Sequence, residues 1–182
     1  MRPGTALLLA ILAIFSAFGD SLAQERKTDP TIILIVRHAE KDTNRYDPPL
    51  SPAGWERSHL LADMLVNASI RSIFVTQFRR TEQTVDSLAR RIGVTPETVL
   101  VDPDNKPDYV KRLCRIIETR HEGETVLVSS HSDVIPSILK ELGIGETVTI
   151  AESDYDNLFV VVRNKGGTAR LMKLRYPATR SP

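Results

Sequence analysis

The chain has 182 residues, of which 41% are hydrophobic and 26% are charged, and this composition is typical of one globular domain. The formal net charge is +1 and no dense basic stripe is present, so nothing in the composition points to nucleic-acid binding. Cys114 is the single cysteine, which excludes an intrachain disulfide bond. The domain must therefore be stabilised by packing alone.

The first 23 residues have the pattern of a signal peptide. A short positive start, Met1-Arg2, precedes an apolar run at 6–18, and residues 21–23 are the small type that a signal peptidase cleaves after. The apolar run is shorter than the roughly 20 residues that span a bilayer. We therefore expect an exported protein, periplasmic or secreted, without a stable membrane anchor after cleavage. An uncleaved anchor is the alternative.

Residues 24–30 form a short polar linker, and residues 31–182 form the predicted domain, in which strands and helices alternate. Short apolar or β-branched runs predict strands at Ile32–Val36, Arg71–Thr76, Val99–Val101 and Thr125–Ser129. Helical spacing of apolar residues predicts four helices, at about 51–67, 78–92, 107–121 and 133–142.

A hairpin at 157–163 and 168–174 follows, around the turn sequence Asn164-Lys165-Gly166-Gly167. This order predicts an α/β fold, a three-layer α/β/α sandwich with a mostly parallel central sheet and an antiparallel edge hairpin.

Three strand-to-helix junctions carry side chains suited to an anion. Arg37-His38 ends the first strand, arginines at 79 and 80 open the second helix, and His131 follows the fourth strand. In a parallel sheet these junctions meet at one edge, where helix amino termini add unpaired N–H groups. A guanidinium can hold two phosphate oxygens and a neutral imidazole can attack phosphorus. The sequence therefore predicts a phosphate pocket.

A metal site is the competing interpretation of the same histidines. His38 with Glu40 and His131 with Asp133 form H-x-E and H-x-D pairs, from which metal sites can be built. The neighbouring arginines would repel a cation. We therefore expect no metal and no cofactor.

Four separated blocks resemble the histidine phosphatase superfamily, the phosphoglycerate-mutase-like proteins. In chain order they are VRHAEK at 36–41, LSPAG at 50–54, RTEQT at 80–84 and VSSHS at 128–132. The resemblance implies a metal-independent phosphoric monoester hydrolase. It also implies a covalent phosphohistidine at His38, with Arg37 and Arg80 holding the phosphoryl oxygens and His131 donating to the same group.

Arg80 is preferred to Arg79 because the family pattern places the arginine directly before Thr81. Adjacent helix residues point about 100° apart, so both are not expected to face one phosphate. Ser132, next to His131, is a further candidate for substrate binding.

The general acid stays open at this stage. The resemblance implies either a Glu after the second helix or an Asp directly after the second histidine, and Ser132 occupies that second place here. The candidates are Asp133, Glu40, Asp102 and Asp104. A poor acid would still permit cleavage of phosphoramidates or activated esters.

We expect a phosphatase that acts on phosphomonoesters or phosphoramidates, carried by a small molecule or a protein. The alternative is a catalytically weak phosphate-binding or sensing protein of the same fold.

Overall fold

A computed structural model of the protein describes residues 29–42 and 46–176. The predicted signal peptide lies outside the described residues, as does most of the predicted linker. Among the described residues, none of the helices combines the length and the apolar character that a membrane crossing requires.

Strands and helices alternate through the described part of the chain before a terminal strand pair. The strands are β1 Thr31–Arg37, β2 Ile70–Val75, β3 Glu97–Thr98, β4 Thr125–Ser130, β5 Asn157–Arg163 and β6 Ala169–Arg175. The helices are α1 Pro52–Leu65, α2 Arg79–Ile92, α3 Lys106–Arg120 and α4 Ile135–Glu141.

The strands form one sheet in the order β3-β2-β4-β1-β5-β6. The first four of these pair in parallel, whereas β5 runs antiparallel to both β1 and β6. Alternate residues of β1 point to opposite faces: Ile33 and Ile35 pack with α3 and α4, and Leu34 and Val36 pack with α1 and α2. The predicted three-layer α/β/α fold with an antiparallel edge hairpin is confirmed.

The predicted third strand at Val99–Val101 is wrong. The ladder of β3 uses Glu97 and Thr98 instead, opposite Phe74 and Val75 of β2. At Val101 the backbone groups bind the side-chain amide of Gln77 and not a neighbouring strand. The amide donates to the Val101 carbonyl at 2.7 Å and accepts from the Val101 N–H at 2.9 Å. The apolar valines at 99 and 101 are buried in the core, and the Val99 N–H donates to the Val75 carbonyl oxygen at 2.9 Å, but β3 itself ends at Thr98.

The segment at 50–54 fixes the start of α1 against the loop after β1. The Ser51 hydroxyl accepts from the Gly54 N–H at 3.1 Å, which is a helix N-cap, and Pro52 occupies the first turn. A Cβ on Gly54 would collide with the Glu40 carbonyl oxygen. Glycine is therefore required where the helix approaches the His38 loop.

Candidate active site

The register of three neighbouring strands places their last residues side by side. Arg37 of β1 lies opposite Ser130 of β4, and Val75 of β2 lies opposite Ser129. The backbone N–H of His38 donates to the Ser130 carbonyl at 2.9 Å, which continues this pairing past the end of β1. The His38 and His131 rings consequently lie 5.5 Å apart, centroid to centroid.

A cavity of about 350 Å³ opens at this edge of the sheet. The four side chains that the sequence predicts to converge all line it: Arg37, His38, Arg80 and His131. Ser132 and Asp133 line it as well. The structure thus brings together residues that are more than 90 positions apart in the chain.

His38 presents one ring nitrogen to this cavity. Its Nδ1 lies 2.8 Å from the Ala39 carbonyl oxygen, which can only accept, so Nδ1 carries the hydrogen. Burial, together with the positive charges of Arg80, Arg37 and Lys41, lowers the pKa of His38 to about 4, although the hydrogen bond to Ala39 opposes the shift. At neutral pH the ring is therefore uncharged, and Nε2 has a free lone pair.

Arg37 is held by the loop that precedes β5. Its Nη1 donates to the carbonyl oxygens of Ala151 and Glu152 at 3.0 and 2.9 Å, and its Nη2 pairs with the Glu152 carboxylate at 2.8 Å. The Tyr155 ring lies 4.1 Å from the guanidinium carbon. The Nε–H is buried and has no partner among the described residues. This guanidinium is fixed in place, and its Nε–H donor remains unused.

Arg80 lies in the first turn of α2, with its guanidinium carbon 4.4 Å from the centre of the Phe78 ring. Its Nη1 is 3.8 Å from the Asp47 carboxylate, and its buried Nε–H has no partner in the described ranges. Arg79, by contrast, is exposed. Asp47 also accepts from the backbone N–H of Arg79 at 3.0 Å, so a carboxylate already occupies one donor of the helix amino terminus.

Comparison with known proteins adds an independent observation. The model of the histidine phosphatase superfamily (branch 1) matches residues 33–103, a range that includes Arg37, His38 and Arg80. The predicted resemblance to the histidine phosphatase superfamily is confirmed. No curated protein sequence matches the chain.

Several solved structures have the same fold as this chain. The protein histidine phosphatase SixA, complexed with tungstate, is 21% identical with a TM-score of 0.63, over 79% of this chain and 96% of that one. Mycobacterial glucosyl-3-phosphoglycerate phosphatase is 13% identical with a TM-score of 0.59, over 82% and 100%. Phosphoglycerate mutase from Bacillus anthracis str. Sterne is 12% identical with a TM-score of 0.63, over 82% and 95%.

Three of the four general-acid candidates lie outside the lining of the cavity: Glu40, Asp102 and Asp104. The carboxylate of Glu40 accepts from Arg57 at 2.7 to 3.0 Å. Burial alone would raise the pKa of Glu40, but the hydrogen bonds and the charge of Arg57 outweigh it and leave the pKa below its usual value. A carboxylate held in this way is a poor proton donor.

Asp133 does line the cavity, but it pairs with Lys106 at 2.6 Å. Burial opposes ionisation, yet the hydrogen bond and charge of Lys106 outweigh burial and lower the pKa of Asp133. Asp133 is therefore ionised at neutral pH. Among the described residues, no group of three or more His, Cys, Asp or Glu side chains is placed to hold a metal ion.

Glu152 and Lys106 line the cavity without having been singled out from the sequence. Glu152 lies 115 positions from Arg37 and contacts both that guanidinium and the Ser132 hydroxyl, the latter at 3.2 Å. It belongs to the irregular segment between α4 and β5, where no periodic pattern marks the residues that turn inward. Lys106 is the first residue of α3 and pairs with Asp133.

The pKa of His38 gives a direct test of this electrostatic environment. In histidine-labelled protein, an NMR titration should show the His38 ring gaining its proton near pH 4, because the buried cation is destabilised by desolvation and by nearby arginines. A His38 midpoint near 6.5, the ordinary value for a histidine side chain, would contradict the lowered pKa.

Proposed function

We propose that this chain is a phosphatase in which His38 attacks phosphorus and carries the phosphoryl group as phosphohistidine. The observation that carries the proposal is the combination of a neutral imidazole with two buried guanidinium N–H groups, those of Arg37 and Arg80, that lack partners among the described residues. A buried donor without an acceptor is costly, and a phosphoryl oxygen would satisfy each one. The superfamily match and the phosphatase neighbours support phosphatase activity broadly.

In the first step, His38 Nε2 forms a bond to phosphorus while the bond to the leaving group breaks and its electron pair departs with that group. The ring keeps its Nδ1 hydrogen and becomes positively charged as Nε2 is phosphorylated. The Ala39 carbonyl oxygen, 2.8 Å from Nδ1, stabilises this charge. In the second step, water attacks phosphorus, the N–P bond breaks, and inorganic phosphate leaves with neutral His38 restored.

The arginines supply what phosphoryl transfer mainly requires, which is positioning and charge stabilisation at the equatorial oxygens. Arg37 is already immobilised by the carbonyl oxygens of 151 and 152, and Arg80 by the Phe78 ring and Asp47. Fixed donors need no reorganisation when charge develops. The proposed mechanism therefore assigns no role to a metal ion.

The carboxylates of the cavity are both paired with cations, which favours substrates whose leaving groups depart with little help from an acid. Asp133 is paired with Lys106, and Glu152 is paired with Arg37. A phosphoramidate such as phosphohistidine meets this requirement better than an alkyl phosphate does, because its nitrogen leaving group is readily protonated. Structural likeness to a protein histidine phosphatase supports the same substrate class.

Trapping of the phosphoenzyme tests the nucleophile. Mature protein mixed with radiolabelled substrate and quenched in alkali should carry label that is stable to base, labile to acid and located at His38 by peptide mass spectrometry. His38→Ala should lose the label and reduce turnover by on the order of 10³-fold or more, whereas His59→Ala, an exposed histidine on α1, should retain both. Label at another residue, or a His38→Ala variant that keeps its activity, contradicts the assignment.

Comparison of leaving groups tests the substrate class and the competing function. We expect kcat/KM to be higher for phosphoimidazole and p-nitrophenyl phosphate than for glycerol phosphate by on the order of 10²-fold, the usual contribution of a general acid. An equal kcat/KM for glycerol phosphate would show that an effective acid exists. Binding of phosphate without turnover of any of the three would favour a phosphate-binding or sensing protein.

A further inference from the structure

A buried chain of hydroxyl groups runs from α2 to the second histidine of the site. The Thr81 hydroxyl lies 2.8 Å from the Phe78 carbonyl oxygen and 3.1 Å from the Thr76 carbonyl oxygen. The hydroxyls of Thr76 and Thr81 are 3.0 Å apart, and Thr76 Oγ1 lies 3.1 Å from Nε2 of His131. Both threonines are at most 1% exposed, so water does not complete these contacts.

The number of available hydrogens fixes the direction of this chain. The Thr81 hydroxyl has one hydrogen, which goes to a carbonyl oxygen, since a carbonyl can only accept. The Thr76 hydroxyl therefore donates its single hydrogen to Thr81 Oγ1. With no hydrogen left, Thr76 Oγ1 can only accept a hydrogen bond from Nε2 of His131. The Nε2 atom of His131 therefore carries a hydrogen.

From this network we infer that Thr76 and Thr81 are positioning residues, which leave Nδ1 of neutral His131 without a hydrogen and with its lone pair facing the cavity. We infer further that His131 takes up a proton on Nδ1 when a phosphoryl dianion binds. Nδ1 has no partner among the described residues, and the ring lines the cavity. A lone pair facing a phosphoryl oxygen is repulsive, and a proton on Nδ1 converts the contact into a charge-assisted hydrogen bond. The inference rests on the proposed phosphate site, but not on turnover.

The surroundings of His131 keep its ring uncharged while no anion is bound. Burial, the positive charge that His38 acquires at low pH, and the charges of Arg80 and Arg37 lower the pKa of His131 to about 3, although Asp133 opposes the shift. The other charged groups at the cavity are Lys41, Lys106 and Glu152. A dianion placed among these cations offsets their effect and favours the imidazolium. Proton uptake is therefore coupled to occupancy of the site.

The tautomer of His131 can be observed directly in protein labelled with ¹⁵N in the histidine rings. Two-dimensional NMR of the free wild type should show His131 as the neutral Nε2–H form at pH 7.5, and addition of tungstate should protonate both nitrogens. In Thr76→Val the acceptor is gone, so the neutral Nδ1–H form becomes available and should remain neutral when tungstate binds. Thr76→Ser should behave as the wild type does.

The same variants have an expected effect on rate. Replacing a charged donor by a neutral one should reduce kcat for p-nitrophenyl phosphate roughly tenfold in Thr76→Val, with recovery in Thr76→Ser. If Thr76→Val does not fold, Thr81→Val gives the same test, because it releases the Thr76 hydrogen to donate to Nε2.

A purely structural role would leave the tautomer unchanged in the valine variants, and that result overturns the inference. A free wild-type His131 in the Nδ1–H form, or one that stays neutral with bound tungstate, overturns it as well. The expected NMR pattern without turnover of any substrate would contradict the proposed phosphatase while leaving this inference intact.

Discussion

The parallel register of β1, β4 and β2 is the constraint on which the cavity depends. Because Arg37 lies opposite Ser130 and Val75 opposite Ser129, the residues that follow these strands meet at one edge. A shift of one residue in either pair would turn the side chains to opposite faces and separate the two imidazoles. The apolar residues of these strands hold the register, because each face of the sheet is covered by a pair of helices.

Helix α2 ties the separate loops of the site to this frame. Its Thr84 hydroxyl accepts from the Ala39 N–H at 2.8 Å, next to His38, and its Thr81 hydroxyl reaches Thr76 and through it His131. The Gln83 side chain accepts from the Leu50 N–H at 2.8 Å. The block at 80–84 thus combines Arg80, the proposed phosphate ligand, with three side chains that position neighbouring segments. These contacts connect the short polar sequence at 80–84 to the segments that carry His38 and His131.

The sequence predicts the parts of this arrangement that follow from local pattern. The continuous apolar run before Arg37-His38, the helical spacing after Arg80 and the turn residues at 164–167 are each a clear local signal, and the structure has the expected element at each. Val99–Val101 is different, because its buried valines have the composition of a strand, whereas β3 ends at Thr98 and the Gln77 amide binds the backbone groups of Val101. Glu152 had no detectable signal, since an irregular segment brings it to Arg37 from 115 positions away.

Charge neutralisation links the geometry to the proposed chemistry. Arg37, Lys41, Arg80 and Lys106 line the cavity, and Asp133 and Glu152 are the acidic groups among its described lining. Asp133 pairs with Lys106 and Glu152 pairs with Arg37, while the Nε–H groups of Arg37 and Arg80 have no partner in the described part of the chain. The charges of the two acids are thus neutralised, and positively charged N–H donors remain near the two imidazoles, where they can bind a tetrahedral oxyanion.

A crystal structure of the protein soaked with tungstate is the most direct test of this convergence. The account predicts one tungstate ion with its metal atom next to Nε2 of His38, and with oxygens that accept from the Nε–H groups of Arg37 and Arg80 and from His131. An ion bound elsewhere, or a cavity in which these four side chains contact no common anion, would contradict it.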